Sequence, residues 1–212
     1  MSDLDQLDPQ SVIARLRRMA DATGRHAVDE WRDVKRQRLD ALDISPMHHR
    51  LVLAQRECPK VADHAGSRDA AAAAERFVSD SSLYLLALGG PTGRGKTVAA
   101  TWIAASLDAC WWLSAKDVRV GDEWQQLRSR ALKAANLVVD DLGQEMTEWA
   151  NREIGSLIES RFDRGRRTVV TTNIPPAVMV KLYGDRLASR LNHPGLSAYV
   201  VCGGSDLRKE TK

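Results

Sequence analysis

Residues 89–97 read GGPTGRGKT, and no other stretch of this 212-residue chain restricts its fold as tightly. Glycines at 90, 93 and 95 let backbone N–H groups turn inward around an anion, and a helix opening there adds positive potential. The spacing Gly90-x4-Gly95-Lys96-Thr97 is that of a phosphate-binding loop, which needs a strand before it and a helix after it. Both are legible. The apolar run LYLLALGG (83–90) leads in, and an amphipathic stretch over 96–107 leads out. Gly90, Pro91, Thr92, Gly93, Arg94 and Gly95 are then the wall of the cradle. Lys96 is expected to reach the β- and γ-phosphates, and the Thr97 hydroxyl to ligate Mg²⁺.

From residue 83 onward the texture is that of alternating strands and helices. ACWWLSA (109–115), NLVVDD (136–141), TVVTTN (168–173) and AYVVCGG (198–204) are short, nearly continuous apolar runs, as buried parallel strands should be. Amphipathic stretches at roughly 120–134 and 147–164 separate them. The pattern predicts an α/β domain, a parallel five-stranded sheet flanked by helices.

A phosphate loop also needs an acid for the metal. Asp140, at the end of a buried strand, would come to the sheet edge beside Thr97 and hold Mg²⁺ with it. Asp141 is the candidate to polarise an attacking water; the alternative is that it caps the turn before Gly143. Asn173, ending the next strand, could hold that water near the γ-phosphate, or serve only the turn. ATP with Mg²⁺ is the expected ligand, and ATP hydrolysis the expected reaction.

Composition narrows the setting. Hydrophobic content of 43% supports a packed core, and the net charge of +3 is too mild to demand nucleic acid by itself. Cys58, Cys110 and Cys202 are odd in number and far apart, which argues for a reducing compartment. The start, MSDLDQLDPQ, is too acidic for a secretory signal, and no run reaches the roughly 18–20 apolar residues of a membrane helix. A cytoplasmic protein is expected. Helical spacing marks 10–20 and 28–43, while ISPMHHR and ECPKVADHAGS break it. A boundary near residue 66 divides a small α-helical region, 1–66, from the core, 67–212. Trp31 is a possible partner anchor there, though the helices could equally cap the core.

Near the middle of the core, SRFDRGRR combines cations with an aromatic ring. Arg161, Phe162, Arg164, Arg166 and Arg167 could track single-stranded DNA and stack on its bases, or Phe162 could be a core residue of its helix. Arg186 and Arg190, in GDRLASRLN, share one face of a short helix that His193-Pro194-Gly195 stops.

In their order and spacing, GGPTGRGKT, NLVVDDLG, SRFDRGRRTVVTTN, GDRLASRL and AYVVCGGSDLR resemble the DnaC/IstB-like AAA+ ATPases over roughly residues 70–209. That group comprises replicative helicase loaders and transposition helper ATPases, with an AAA+ variant of the P-loop NTPase core. The resemblance implies nucleotide sites shared between neighbouring subunits. Arg190 is then the finger entering a neighbour's pocket, and Arg186 the second candidate or its support. It also implies no C-terminal helical lid, in keeping with the short GGSDLRKETK that follows the last strand. Implied partners are a hexameric replicative helicase, single-stranded DNA and further copies of the chain, with residues 1–66 gripping the helicase. The alternative is an IstB-like helper that binds DNA and assists a transposase. A small-molecule kinase would need a lid and an acceptor pocket, and neither is visible. A nucleotide-gated adaptor that barely hydrolyses ATP also fits an aspartate at 141.

Overall fold

The structure is a computed structural model and describes residues 29–42, 44–53, 57–59 and 65–203. The expected helix at 10–20 lies outside the described residues. Helix α1 covers 29–40, followed by α2 (Pro46–Leu53) and α3 (Ala65–Ser79). Strand β1 (Leu85–Gly89) feeds the phosphate loop and α4 (Lys96–Ser106). The chain continues through β2 (Cys110–Ser114), α5 (Asp122–Lys133), β3 (Asn136–Leu142), α6 (Glu148–Asp163) and β4 (Arg167–Thr172). It ends with α7 (Pro176–Tyr183), α8 (Asp185–Leu191) and β5 (Ser197–Val201). All pairings are parallel, and the five strands lie in the order β2-β3-β4-β1-β5.

That order decides where the chemistry sits. The strand carrying the aspartates, β3, is separated from the phosphate-loop strand β1 by β4. Asn173, one residue past the end of β4, therefore stands between them at the carboxyl edge of the sheet. Open parallel sheets bind ligands at this edge.

Successive strand residues face opposite sides. Leu86 and Leu88 of β1 enter one apolar cluster with α3, α4, Leu39 of α1 and Val52 of α2. Leu85 and Ala87 enter the other, with residues of α5, α6, α7 and α8. Trp111 and Trp112 pack against opposite clusters, as adjacent strand residues should. Alanines at 70, 71 and 74 are fully buried, so α3 lies close along the sheet's first face.

A division at residue 66 does not coincide with a break in packing. Leu39, Ile44, Val52 and Cys58 share one core with α3 and α4. Lys35 is only 3% exposed, and its ammonium donates to Ser106 Oγ at 2.7 Å. It lies 4.2 Å from the Trp31 ring centre and 4.4 Å from that of Trp102, a cage favourable to a cation. Arg38 adds a 3.0 Å bond to the Ala105 carbonyl and an ion pair with Asp108. Trp31 thus packs toward the core. The described part of the N-terminal region is a cap on the sheet.

One helix lies where the sequence suggests only a break, and another lies in a stretch to which the sequence assigns no element. Pro46 opens α2, and Pro176 opens α7 behind Pro175. A proline at the first helical position forfeits no bond, because that N–H has no intrahelical partner, and its fixed φ suits the helix.

Candidate nucleotide site

The phosphate loop is pinned by its neighbour at the sheet edge. Cys202, just past β5, donates its N–H to the Gly89 carbonyl at 2.7 Å. Gly90 has φ +124°, and a Cβ there would stand 2.5 Å from the Cys202 carbonyl oxygen, so only glycine fits. Gly95 caps α4 in the left-handed conformation, leaving the first N–H groups of the helix directed at the loop.

Lys96 is 6% exposed and gathers the site. Its ammonium donates to the Gly90 and Pro91 carbonyls, each at 2.6 Å, and to Asn173 Oδ1 at 2.9 Å. Burial lowers its pKa, while Cys202, Asp141 and Asp140 pull it back up and Arg94 pushes it down. Lysine and asparagine, 77 positions apart in sequence, are thus brought together.

The acids are held differently from one another. Asp140 Oδ1 accepts from Thr171 Oγ1 at 2.6 Å and from Thr97 Oγ1 at 3.3 Å. Burial raises its pKa, and its bonds to Thr171 and Thr97 oppose that rise. Thr171, which the sequence reading passes over, accepts the Asp141 N–H at 2.9 Å while donating to Asp140. It couples β4 to the acidic strand. The β3–β4 register shifts between Val139 and Leu142, and Asp141 has φ +58°. A bulge of this kind re-aims a side chain. Without it, consecutive strand residues would face opposite sides. Here both carboxylates act on Lys96. Among the described residues nothing donates to the Asp141 carboxylate, so it does not cap the turn.

The donor set fits a magnesium nucleotide. A hydroxyl and a carboxylate, Thr97 and Asp140, are hard oxygen ligands already in contact, and Mg²⁺ uses few protein ligands besides phosphates and water. No cluster of three or more His, Cys, Asp or Glu that could cage a metal occurs among the described residues.

Arg186 and Arg190 do not join this cluster. Arg190 makes a two-pronged pair with Asp163 at 2.9 and 2.8 Å, lies 3.8 Å from Glu159 and donates to the Arg186 carbonyl at 3.1 Å. Its partners belong to α6 and to its own helix. Arg186 is exposed and helps hold the Asp163 carboxyl below the usual range, behind the larger effect of Arg190.

The expected DNA contacts divide, and two are corrected. Arg161 is fully buried, and its guanidinium is spent on Thr168 Oγ1 and on the carbonyls of Ala131, Ala134, Ala135 and Arg167. Arg167 donates to the Leu83, Phe77 and Asp80 carbonyls and lies 4.2 Å from the Phe77 ring centre. Phe162 is half-buried, 5.8 Å from the His193 ring. Both arginines brace the fold, because the carbonyls at the ends of α5 and α3 need donors, while Phe162 packs against the second apolar cluster. Only Arg164 and Arg166 are exposed, in the turn before β4, at the opposite end of the sheet from the phosphate loop.

No helix among the described residues is long and apolar enough to cross a membrane. No protein-family model and no curated protein matches the sequence. Solved structures do match. A DnaI structure is 20% identical with a TM-score of 0.56, over 78% of this chain and 94% of the other. The DnaC helicase loader is 18% identical with a TM-score of 0.56, over 74% of this chain and 99% of its own. The replication initiator DnaA, bound to AMPPCP and single-stranded DNA, is 14% identical with a TM-score of 0.51, and this chain spans about half of it (51%). The chain shares the fold of these DnaI and DnaC structures, here a five-stranded parallel sheet with a glycine-lined phosphate loop after β1.

Proposed function

We propose that the chain binds ATP with Mg²⁺ at this edge, hydrolyses it with help from a neighbouring copy, and uses the cycle to load a replicative helicase onto single-stranded DNA. The observation that carries the nucleotide reading is the convergence of Lys96, Asn173, Asp140 and Thr97 from three segments of chain on one glycine-lined loop. Lys96 exchanges its loop carbonyls for the β- and γ-phosphate oxygens. Mg²⁺, held by Thr97 and Asp140, would supply charge neutralisation on those phosphates. Asn173 holds the attacking water, and Asp141, whose carboxylate has no described donor, takes its proton as the water oxygen bonds to the γ-phosphorus. The bond from that phosphorus to the β–γ bridging oxygen breaks, and ADP departs with the electron pair.

Arg190 lies outside this cluster, on α8, and its guanidinium bonds only to α6 and α8 among the described residues. That placement supports action in trans, with charge delivered to a neighbour's γ-phosphate. An Asp163 side chain that is 56% exposed binds it weakly enough to be exchanged on assembly. The helicase-loading reading rests on likeness to DnaC. Arg164 and Arg166 are the remaining candidate DNA contacts, and the surface containing α1 and α2 is the candidate helicase contact.

The test is hydrolysis with single-stranded DNA and with a hexameric replicative helicase added separately. Each should raise the turnover rate, and the helicase should co-sediment with the chain only when ATP is present. Turnover unchanged by either, with no ATP-dependent co-sedimentation, would leave a plain nucleotide-binding protein.

A further inference from the structure

Arg94, inside the phosphate loop, is only 4% exposed, and its Nε and Nη1 have no hydrogen-bond acceptor among the described residues. It forms no ion pair among the described residues. The same chain shows what a buried arginine looks like when its role is structural. Arg161 uses all three guanidinium nitrogens on described acceptors, four of them carbonyls. A buried guanidinium without acceptors is costly, so such groups usually find partners or serve a site whose partner arrives from outside. The motif asks for nothing here. Arg94 is the last of the four free positions in Gly90-x4-Gly95, where any residue meets the spacing.

Proximity says what could satisfy it. Arg94 stands two residues before Lys96 in the same loop, and both side chains are buried, at 4% and 6% exposure. Inward N–H groups and the α4 N-terminus add to the same positive field. Two buried cations at a helix N-terminus suit a ligand with more than one negative charge.

Building on the nucleotide reading above, we propose that Arg94 is a second phosphate-binding cation, donating Nε–H and Nη1–H to the phosphate chain of a nucleoside triphosphate beside Lys96. The loop then carries two side-chain contacts to the phosphates, and the guanidinium is satisfied only in the liganded protein.

The inference makes two effects run in opposite directions, which a structural arginine would not do. Arg94→Met removes an unsatisfied buried charge at similar length, so the nucleotide-free variant should melt at a higher temperature than the natural protein. The same variant should bind ATP about ten- to a hundredfold more weakly by titration calorimetry, the loss of one charge-assisted contact. Arg94→Lys, which keeps the charge and loses the fork, should fall between. Equal ATP affinity in Arg94→Met, or a lower melting temperature without nucleotide, would overturn the assignment while leaving the nucleotide reading intact. If the natural protein itself binds no ATP, that reading fails, and this inference with it.

Discussion

Lys96→Ala is expected to lower ATP hydrolysis about 10²–10³-fold, the usual loss when one preorganised donor to developing charge is removed. The reason is geometric. Its ammonium is already directed at the loop by the Gly90 and Pro91 carbonyls and by Asn173, so the site spends little on ordering the donor when phosphate arrives. Neither Thr97 nor Asn173 takes over that position, because Thr97 is committed to Asp140 and Asn173 is itself an acceptor from the lysine. The loop's shape rests on Gly90 and on the Cys202 N–H bond to Gly89, so the variant should stay folded. A steady-state phosphate-release assay beside a melting curve checks both halves. Hydrolysis within threefold of the natural protein would mean that phosphate is held elsewhere.

Arg161→Ala is expected to cost about 3 kcal/mol of stability, the upper end of the range for leaving buried acceptors unsatisfied. Domains of this kind hold only about 5–15 kcal/mol in all, so much of the variant would be unfolded at moderate temperature. The guanidinium closes the end of α5 by bonding the Ala131, Ala134 and Ala135 carbonyls, and it ties that end to β4 through Thr168 and Arg167. Truncation strands these acceptors in the interior. Burial lowers its pKa to about 10, which still leaves it charged at neutral pH. Urea unfolding measures the loss. A variant that melts normally and loses affinity for single-stranded DNA would restore the DNA-contact reading.

Arg161 also shows how far this chain could be read from sequence. Ile154, Leu157 and Ile158 are buried, and position 161 continues their spacing of three, four and seven. The helical stripe thus contained the signal that this arginine faces inward, but composition drew the eye to its charge. Strands and the longer helices were legible because buried strands form apolar runs and α4, α5 and α6 alternate with them at helical period. The proline of α2 reads as a break because a first-turn proline and a loop proline look alike without the following turn. The Asp140–Asp141 pair and Asn173 were legible as strand ends. Thr171 was not: its role depends on a bulge and on which strand lies beside β3. The packing of α1 through Lys35 between Trp31 and Trp102 was likewise hidden, because it joins residues 67 or more positions apart with no shared motif.

Arg190 is where local structure and proposed function diverge most. Within one chain it is a surface residue paired to Asp163, and nothing in its own contacts reaches a phosphate. Its proposed role requires a second copy, and an in-trans arginine contributes about 10³–10⁵ to phosphoryl transfer in other systems.

The most direct test is ATP turnover per molecule across a concentration series, with Arg190→Ala titrated into the natural protein. A site completed by a neighbour predicts that turnover per molecule rises with concentration and that the variant lowers the rate by more than dilution alone. Turnover flat across the series, with the variant acting only as diluent, would contradict a shared site and return Arg190 to the surface of α8.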